Sequence, residues 1–206
     1  MAHDGAAQGG AAQDEVAQDG PWFRPHGVLD PERHAQLIAQ REEIARDAGI
    51  PVQFLWRKLP AALTAAERDW LARFHHHRTE GRCGLLLTGE APALDPLQRI
   101  GALAGCLSRN FVRARVVPLL DALEAVAAGA PVAATCLMIP DFVPERAAVR
   151  EAPAWRVAQL TALLTARWSR ADLQTVLYAP SLADTAREYG GFVADLLRNH
   201  YIEVAI

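Results

Sequence analysis

The stretch GLLLTGEAPALDP, residues 84–96, holds the residues with the most chemical promise. An apolar run ends at Gly89, four residues follow, and a helical pattern begins at the far end. Phosphate-binding loops have this context: a strand, then G-x-x-x-x-G-K-[ST], then a helix. The positions that would do the binding are filled differently. Leu94 stands at the second glycine, Asp95 at the lysine and Pro96 at the hydroxyl. Leucine carries a Cβ and resists the positive φ that lets a glycine backbone turn against a phosphate. Aspartate puts an anion where a cation belongs. At ~4 Å and an effective dielectric near 20, one charge pair is worth roughly 4 kcal/mol, so reversing its sign removes several decades of affinity. Proline supplies neither a hydroxyl nor an N–H. The same residues make a good helix start, with Asp95 as N-cap, Pro96 in the first turn and Gln98 after it. A helix N-terminus attracts anions, and here the chain supplies its own.

Other reactive residue types are present without a matching pattern. FHHHRTE, residues 74–80, has three adjacent histidines. Neighbours on a helix point to different faces, so the run reads as a solvated helix end and not as one metal site. Cys83, Cys106 and Cys136 sit in apolar surroundings without metal-like spacing, which predicts inert, buried thiols in a reducing, cytoplasmic compartment. The G-x-S-x-G elbow of a serine hydrolase is missing. Arg109, Arg113 and Arg115 lie near one strand, with Arg113 and Arg115 on one face by period two. They are candidates for contact with phosphates or a partner's acids, and otherwise mark a solvated sheet edge.

A length of 206 residues suffices for one sizeable core. A net charge of −3 argues against holding nucleic acid by bulk charge. The chain has no apolar run of the ~18 residues that a membrane span needs.

Residues 1–20, rich in Ala, Gly, Gln and Asp, have little to bury and read as a disordered tail. Residues 21–60 form an aromatic segment and a helix. Trp22 and Phe23 are candidates for docking to the chain's own core or to a partner. Asp30 and Pro31 open a strongly charged helix to about residue 48, stopped by Gly49. The domain proper is 61–206. Thr64 and Glu67 form a capping-box pattern before Trp70, Leu71 and Phe74. Apolar strands are expected at 83–89, 111–117, 132–139, 174–179 and 201–206. Helices are expected between them, including a single one from Ser181 to Leu197. Trp155 and Trp168 are assigned to the core. Strands alternating with helices imply a parallel sheet covered on both faces, an α/β three-layer sandwich of about five strands with an N-terminal helical extension.

The order of segments, from GIPVQFLWRKLPAALTAAERDWLARF through GLLLTG, LDALEA, LMIPDF and WRVAQLTALLTARW to TVLYAPSLADTAREYGGFVADLL, resembles the AAA+ ATPase domain of the DnaC/IstB type. These are helicase loaders and the ATPase partners of transposases. The resemblance covers residues 49–206 and implies a P-loop NTPase-like fold. It also sets out what is missing. Where the family has two acids for magnesium and catalysis, this chain has Pro140 and Asp141, so Asp141 is a remnant acid. The asparagine at the end of the sensor strand is replaced in Ala179-Pro180-Ser181. The late Ser-Arg pair corresponds to Ala194-Asp195. With the degenerate loop at Gly89, Leu94, Asp95 and Pro96, four places lack what ATP hydrolysis needs.

The implied reading is a pseudo-ATPase that has lost ATP and magnesium and has no catalytic or metal-binding residues. It would act as an adaptor for a helicase, a transposase or an active AAA+ paralogue, with DNA a weaker partner and no membrane role. The charged helix and the tail before it are the expected docking element. Two alternatives stand beside it. One is an active NTPase with a non-standard site, marked by Arg99 or Arg109 reaching the Gly89 loop. The other is a DNA-binding subunit of a mobile-element or defence complex.

Overall fold

A computed structural model describes residues 29–143 and 152–206. Trp22, Phe23 and the expected tail lie outside the described residues. Five strands form one sheet: β1 Gly84–Thr88, β2 Ala114–Val116, β3 Cys136–Ile139, β4 Gln174–Ala179 and β5 Tyr201–Ala205. Their order across the sheet is β2-β3-β4-β1-β5, and every pair is parallel. The α/β, parallel-sheet architecture expected from the sequence is what the chain adopts.

Parallel neighbours require crossovers, and helices supply them. Helix α5, Pro96–Arg109, carries the chain from β1 to β2. Helix α6, Leu119–Ala127, links β2 to β3, and α7, Ala154–Trp168, enters β4. Helices α8, Leu182–Tyr189, and α9, Gly191–His200, connect β4 to β5. Before the sheet come α1 Ala35–Ala39, α2 Arg41–Ala48, α3 Ala65–Ala72 and α4 Phe74–Thr79, with a 3₁₀ turn at Val52–Leu55.

Strand alternation divides the core in two. Leu85 and Leu87 face one way, toward Ile100, Leu103 and Leu107 of α5 and toward Trp70 and Leu71 of α3. Leu86 faces the other way, toward Leu160 and Leu164 of α7 and Val193 and Leu197 of α9. All five β1 residues are buried, which explains why that strand reads as a continuous apolar run. Leu37, Ala45 and Ala48 join the α5 side, so α1 and α2 share the core of the sheet. Among the described residues, no helix is long and apolar enough to cross a membrane.

Several boundaries differ from expectation. The single helix over 31–48 is instead a turn followed by α1 and α2, separated at Gln40. Its Asp30 cap does form, with Oδ1 accepting from the N–H groups of Glu32 at 3.0 Å and Arg33 at 2.9 Å. A stretch with few apolar residues has little packing to hold one long helix. The helix from Ser181 breaks at Gly190, whose φ of 87° is outside the helical range. The strand expected at 111–117 shrinks to β2, because Phe111 sits at φ 62° just beyond α5. The strand expected at 132–139 begins only at Cys136.

Trp155 and Trp168 do not pack in the core. They are 51% and 45% exposed, while Leu160, Leu163, Leu164 and Arg167 form the buried stripe of α7. Arg156 lies over the Trp155 ring, and Trp168 packs against His200 with tilted rings whose centroids are 4.4 Å apart. The three cysteines are free and buried as expected, and burial pushes the Cys106 thiol up to about 11.

Candidate functional site

The sheet has one place where its connections diverge. From β1 the chain leaves over the α5 face toward β2, and from the adjacent β4 it leaves over the opposite face toward β5. In open α/β sheets, ligands bind in the crevice outside the carboxyl ends of strands at such a switch point. The Gly89–Pro96 loop starts there.

Gly89 is held by its own chain. Its N–H donates to the Pro180 carbonyl at 3.0 Å, and its carbonyl accepts from the Tyr178 hydroxyl at 2.7 Å. A Cβ at this position would lie 2.4 Å from the Ile206 carbonyl oxygen. The close approach that requires glycine is therefore to the end of the last strand. At the other end of the loop, exposed Asp95 is the N-cap of α5, with Oδ1 accepting from the Gln98 N–H at 3.0 Å, and Pro96 follows in the first turn. Leu94 is half-buried beside it. Asp95 brings negative charge to the helix end where a phosphate would have to sit.

The cations that could replace the missing lysine are engaged elsewhere. Arg99, 1% exposed, donates from Nη1 to Glu67 Oε2 at 2.6 Å and from Nη2 to the Ala62 carbonyl at 3.2 Å. The same Glu67 oxygen accepts from the Thr64 N–H at 2.7 Å and hydroxyl at 2.9 Å, so one carboxylate closes a capping box and neutralises a buried guanidinium. Arg109 lies at the opposite end of α5, roughly 20 Å from its start at 1.5 Å per residue. It is 1% exposed and donates from Nη1 to the carbonyls of Phe54 at 3.4 Å and Arg57 at 3.3 Å. A buried guanidinium in that position is turned inward, away from phosphate or partner.

Asp141 follows β3, separated from β1 by β4, which places the two strands about 10 Å apart. Its Oδ1 accepts from the Leu119 N–H at 2.8 Å and so caps α6. Ser181 caps α8, accepting from the Asp184 N–H at 3.0 Å. Asp195 pairs with Arg198. The structure thus brings Gly89, Asp95, Asp141 and Ser181 to the carboxyl edge of the sheet, with the three polar side chains serving as helix caps. The loop end thus carries an anion where a phosphate would have to sit, and Asp141 Oδ1 is engaged by a backbone N–H.

The remaining candidates lie elsewhere. Arg113 is 3.3 Å from Asp47 Oδ2, and Arg115 Nε donates to the Asp47 carbonyl at 2.8 Å, so both tie the β2 edge to α2. In the histidine run, His75 and His76 are exposed, but His77 is 4% exposed and burial lowers its pKa, so the run is only partly a solvated helix end. Glu80 approaches both His76 and His77 at 3.2 Å. Sequence reasoning missed the ion pair of Glu67 with Arg99 and the Tyr178 contact to Gly89. Thr64-x-x-Glu67 announced the cap, but nothing in the local sequence announced a cation 32 residues away. Compared with known proteins, the chain matches no protein-family model and no curated protein.

Proposed function

We propose that the chain is a non-hydrolysing, AAA+-like adaptor of the DnaC/IstB type that binds protein partners in a replication, transposition or mobile-element complex. The observation that carries this reading is the self-capped loop. At the switch point of a parallel sheet, the helix end that could bind phosphate is closed by Asp95. Arg99, the nearest candidate cation on α5, is held in a buried pair with Glu67. The remnant acid Asp141 serves as a helix cap. Phosphoryl transfer relies on cations and metal to offset developing charge, and these three residues are committed to holding the scaffold together. A scaffold kept without its chemistry is suited to binding, and its partners would be proteins of the complexes named above.

Calorimetry with magnesium and ATP or ADP tests this. The wild type is expected to release no binding heat. A Leu94→Gly, Asp95→Lys, Pro96→Thr variant is expected to gain binding if the loop retains its backbone course. Micromolar ATP binding by the wild type would overturn the proposal.

A further inference from the structure

The two edges of the sheet differ in how they end. At one edge, β2 is three residues long and α2 is tied over it through Asp47. At the other, β5 is five residues long and, among the described residues, pairs only with β1. The Ile206 N–H donates to the Thr88 carbonyl, which fixes the alternation: residues 202, 204 and 206 bond inward, and 201, 203 and 205 face outward. The Tyr201 N–H is taken by the Leu197 carbonyl. Among the described residues, the Tyr201 carbonyl and both backbone groups of Glu203 and Ala205 remain without a strand partner along the edge. Unpaired edge groups of this kind are a template for another strand unless charged side chains, Pro, a bulge or a covering element blunts them. Residues 201–205 contain neither Lys nor Pro. The one charge, Glu203, accepts from the Thr88 hydroxyl at 3.3 Å and is drawn toward β1.

A groove of about 470 Å³ runs beside the amino end of β5, lined on its far side by Arg73, His77, Glu80 and Arg82. Its charges are unequally engaged. Arg73 pairs with Asp69, and Glu80 with His76 and His77. Exposed Arg82 has no counter-charge among the described residues. We propose that β5 is a docking edge for an extended segment of a protein partner, which adds as a sixth strand and places an acidic side chain against Arg82. Main-chain hydrogen bonds would supply affinity and the arginine selectivity. The inference rests on the adaptor reading and names the surface that reading would use.

The test uses the full chain and two synthetic peptides of alternating threonine and valine, one with a terminal-proximal aspartate and one with lysine in its place. Amide exchange is followed by NMR. The aspartate peptide is expected to slow exchange at Glu203 and Ala205 by roughly tenfold or more, leaving Ile202 and Val204 unchanged. Ala205→Pro removes an outward donor without touching the β1 ladder and is expected to abolish the protection. Arg82→Glu, on a surface side chain that leaves the ladder intact, is expected to reverse the preference between the peptides. Failure to protect those amides at millimolar peptide overturns the proposal, as does equal binding of both peptides. Protection that rises with protein concentration alone also overturns it, because the occupant is then a second copy. ATP binding by the wild type would defeat the adaptor reading whatever the edge does. Missing protection in a chain that ignores ATP would defeat the edge alone.

Discussion

Helix α5 begins in solvent and, within one turn, enters the core. Its first residues, with Asp95 before them, are exposed or half-buried, and they meet the rest of the protein through a cap. From Arg99 to Arg109 every residue is buried, including two arginines, two glycines and a cysteine. The contrast separates two kinds of constraint on one helix. At the amino end, a local hydrogen bond suffices, and many sequences could supply it. Further along, each residue is fixed by a partner distant in sequence: Arg99 by Glu67, Gly105 by the backbone of Phe54, and Arg109 by Phe54 and Arg57. The end at which phosphate chemistry would occur is the end with the fewest tertiary commitments.

The strongest way to break this contrast is to remove Glu67. Glu67→Ala leaves the Arg99 guanidinium buried without a counter-charge and opens the α3 capping box. Breaking a buried pair by deleting one partner costs about 3–5 kcal/mol. Chemical denaturation should therefore show a large fall in midpoint. A Glu67→Gln, Arg99→Met double variant, which removes both charges, should recover much of the loss. If the single and double variants are equally unstable, the pair is not what holds α5.

Cys106 tests the buried half by pH. Burial raises its pKa from the ordinary 9.0 to about 11. A group whose folded pKa is raised contributes stability that is intact below the unfolded value and lost as pH climbs toward the folded one. The loss should run from about pH 9 to 11 and reach roughly 2–3 kcal/mol, at about 1.4 kcal/mol per unit. Comparing the pH profile of unfolding with that of Cys106→Ala isolates this contribution, since Cys83 and Cys136 titrate in both proteins. Identical slopes would place the thiol in contact with water.

Gly105 tests close packing at the same depth. A Cβ there would meet the Phe54 carbonyl oxygen at 2.2 Å, and a backbone atom cannot swing aside. Gly105→Ala is expected to cost about 1–3 kcal/mol by overpacking. Gly101→Ala should cost less, because its nearest contact is the Phe54 ring at 3.1 Å.

This division also explains what the sequence made legible. The start of helix α5 was readable to the residue, because Asp95 and Pro96 mark it. β1 and β4 were readable because burial on both faces leaves a continuous apolar run. The shorter β2 and β3 were overextended, since Val112 and Ala134 are buried without belonging to strands and so read as strand in a local window. Trp155 and Trp168 were misplaced because size suggests burial, whereas position on α7 decides it. At the candidate site, the Asp95 and Ser181 caps were legible because each is a contact between residues three apart, whereas Asp141 caps α6 from 22 residues away and did not read as a cap. The Tyr178 hydroxyl on Gly89, and the use of Glu67 by Arg99, were not, because sequence reports nothing about partners brought together only by the fold.

The smallest expected effect falls on the exposed end. Asp95→Ala removes the acceptor for the Gln98 N–H and should cost about 1 kcal/mol, as loss of an N-cap does. Asp95→Asn keeps a capping oxygen and discards the charge, so the difference between the two variants separates the hydrogen bond from the interaction with the helix dipole. If Asn restores nearly all the stability lost with Ala, Asp95 acts as a cap, and its charge is free to exclude anions from the loop at little cost to the fold. If Asn is as damaging as Ala, the carboxylate charge itself stabilises α5. Neutralising the loop would then destabilise the helix it begins, and the exposed end would be more tightly constrained than its hydrogen bonds indicate. Urea titrations of both variants, run at low and at high salt, distinguish the cases, because salt screens a dipole interaction and leaves a neutral cap largely unchanged.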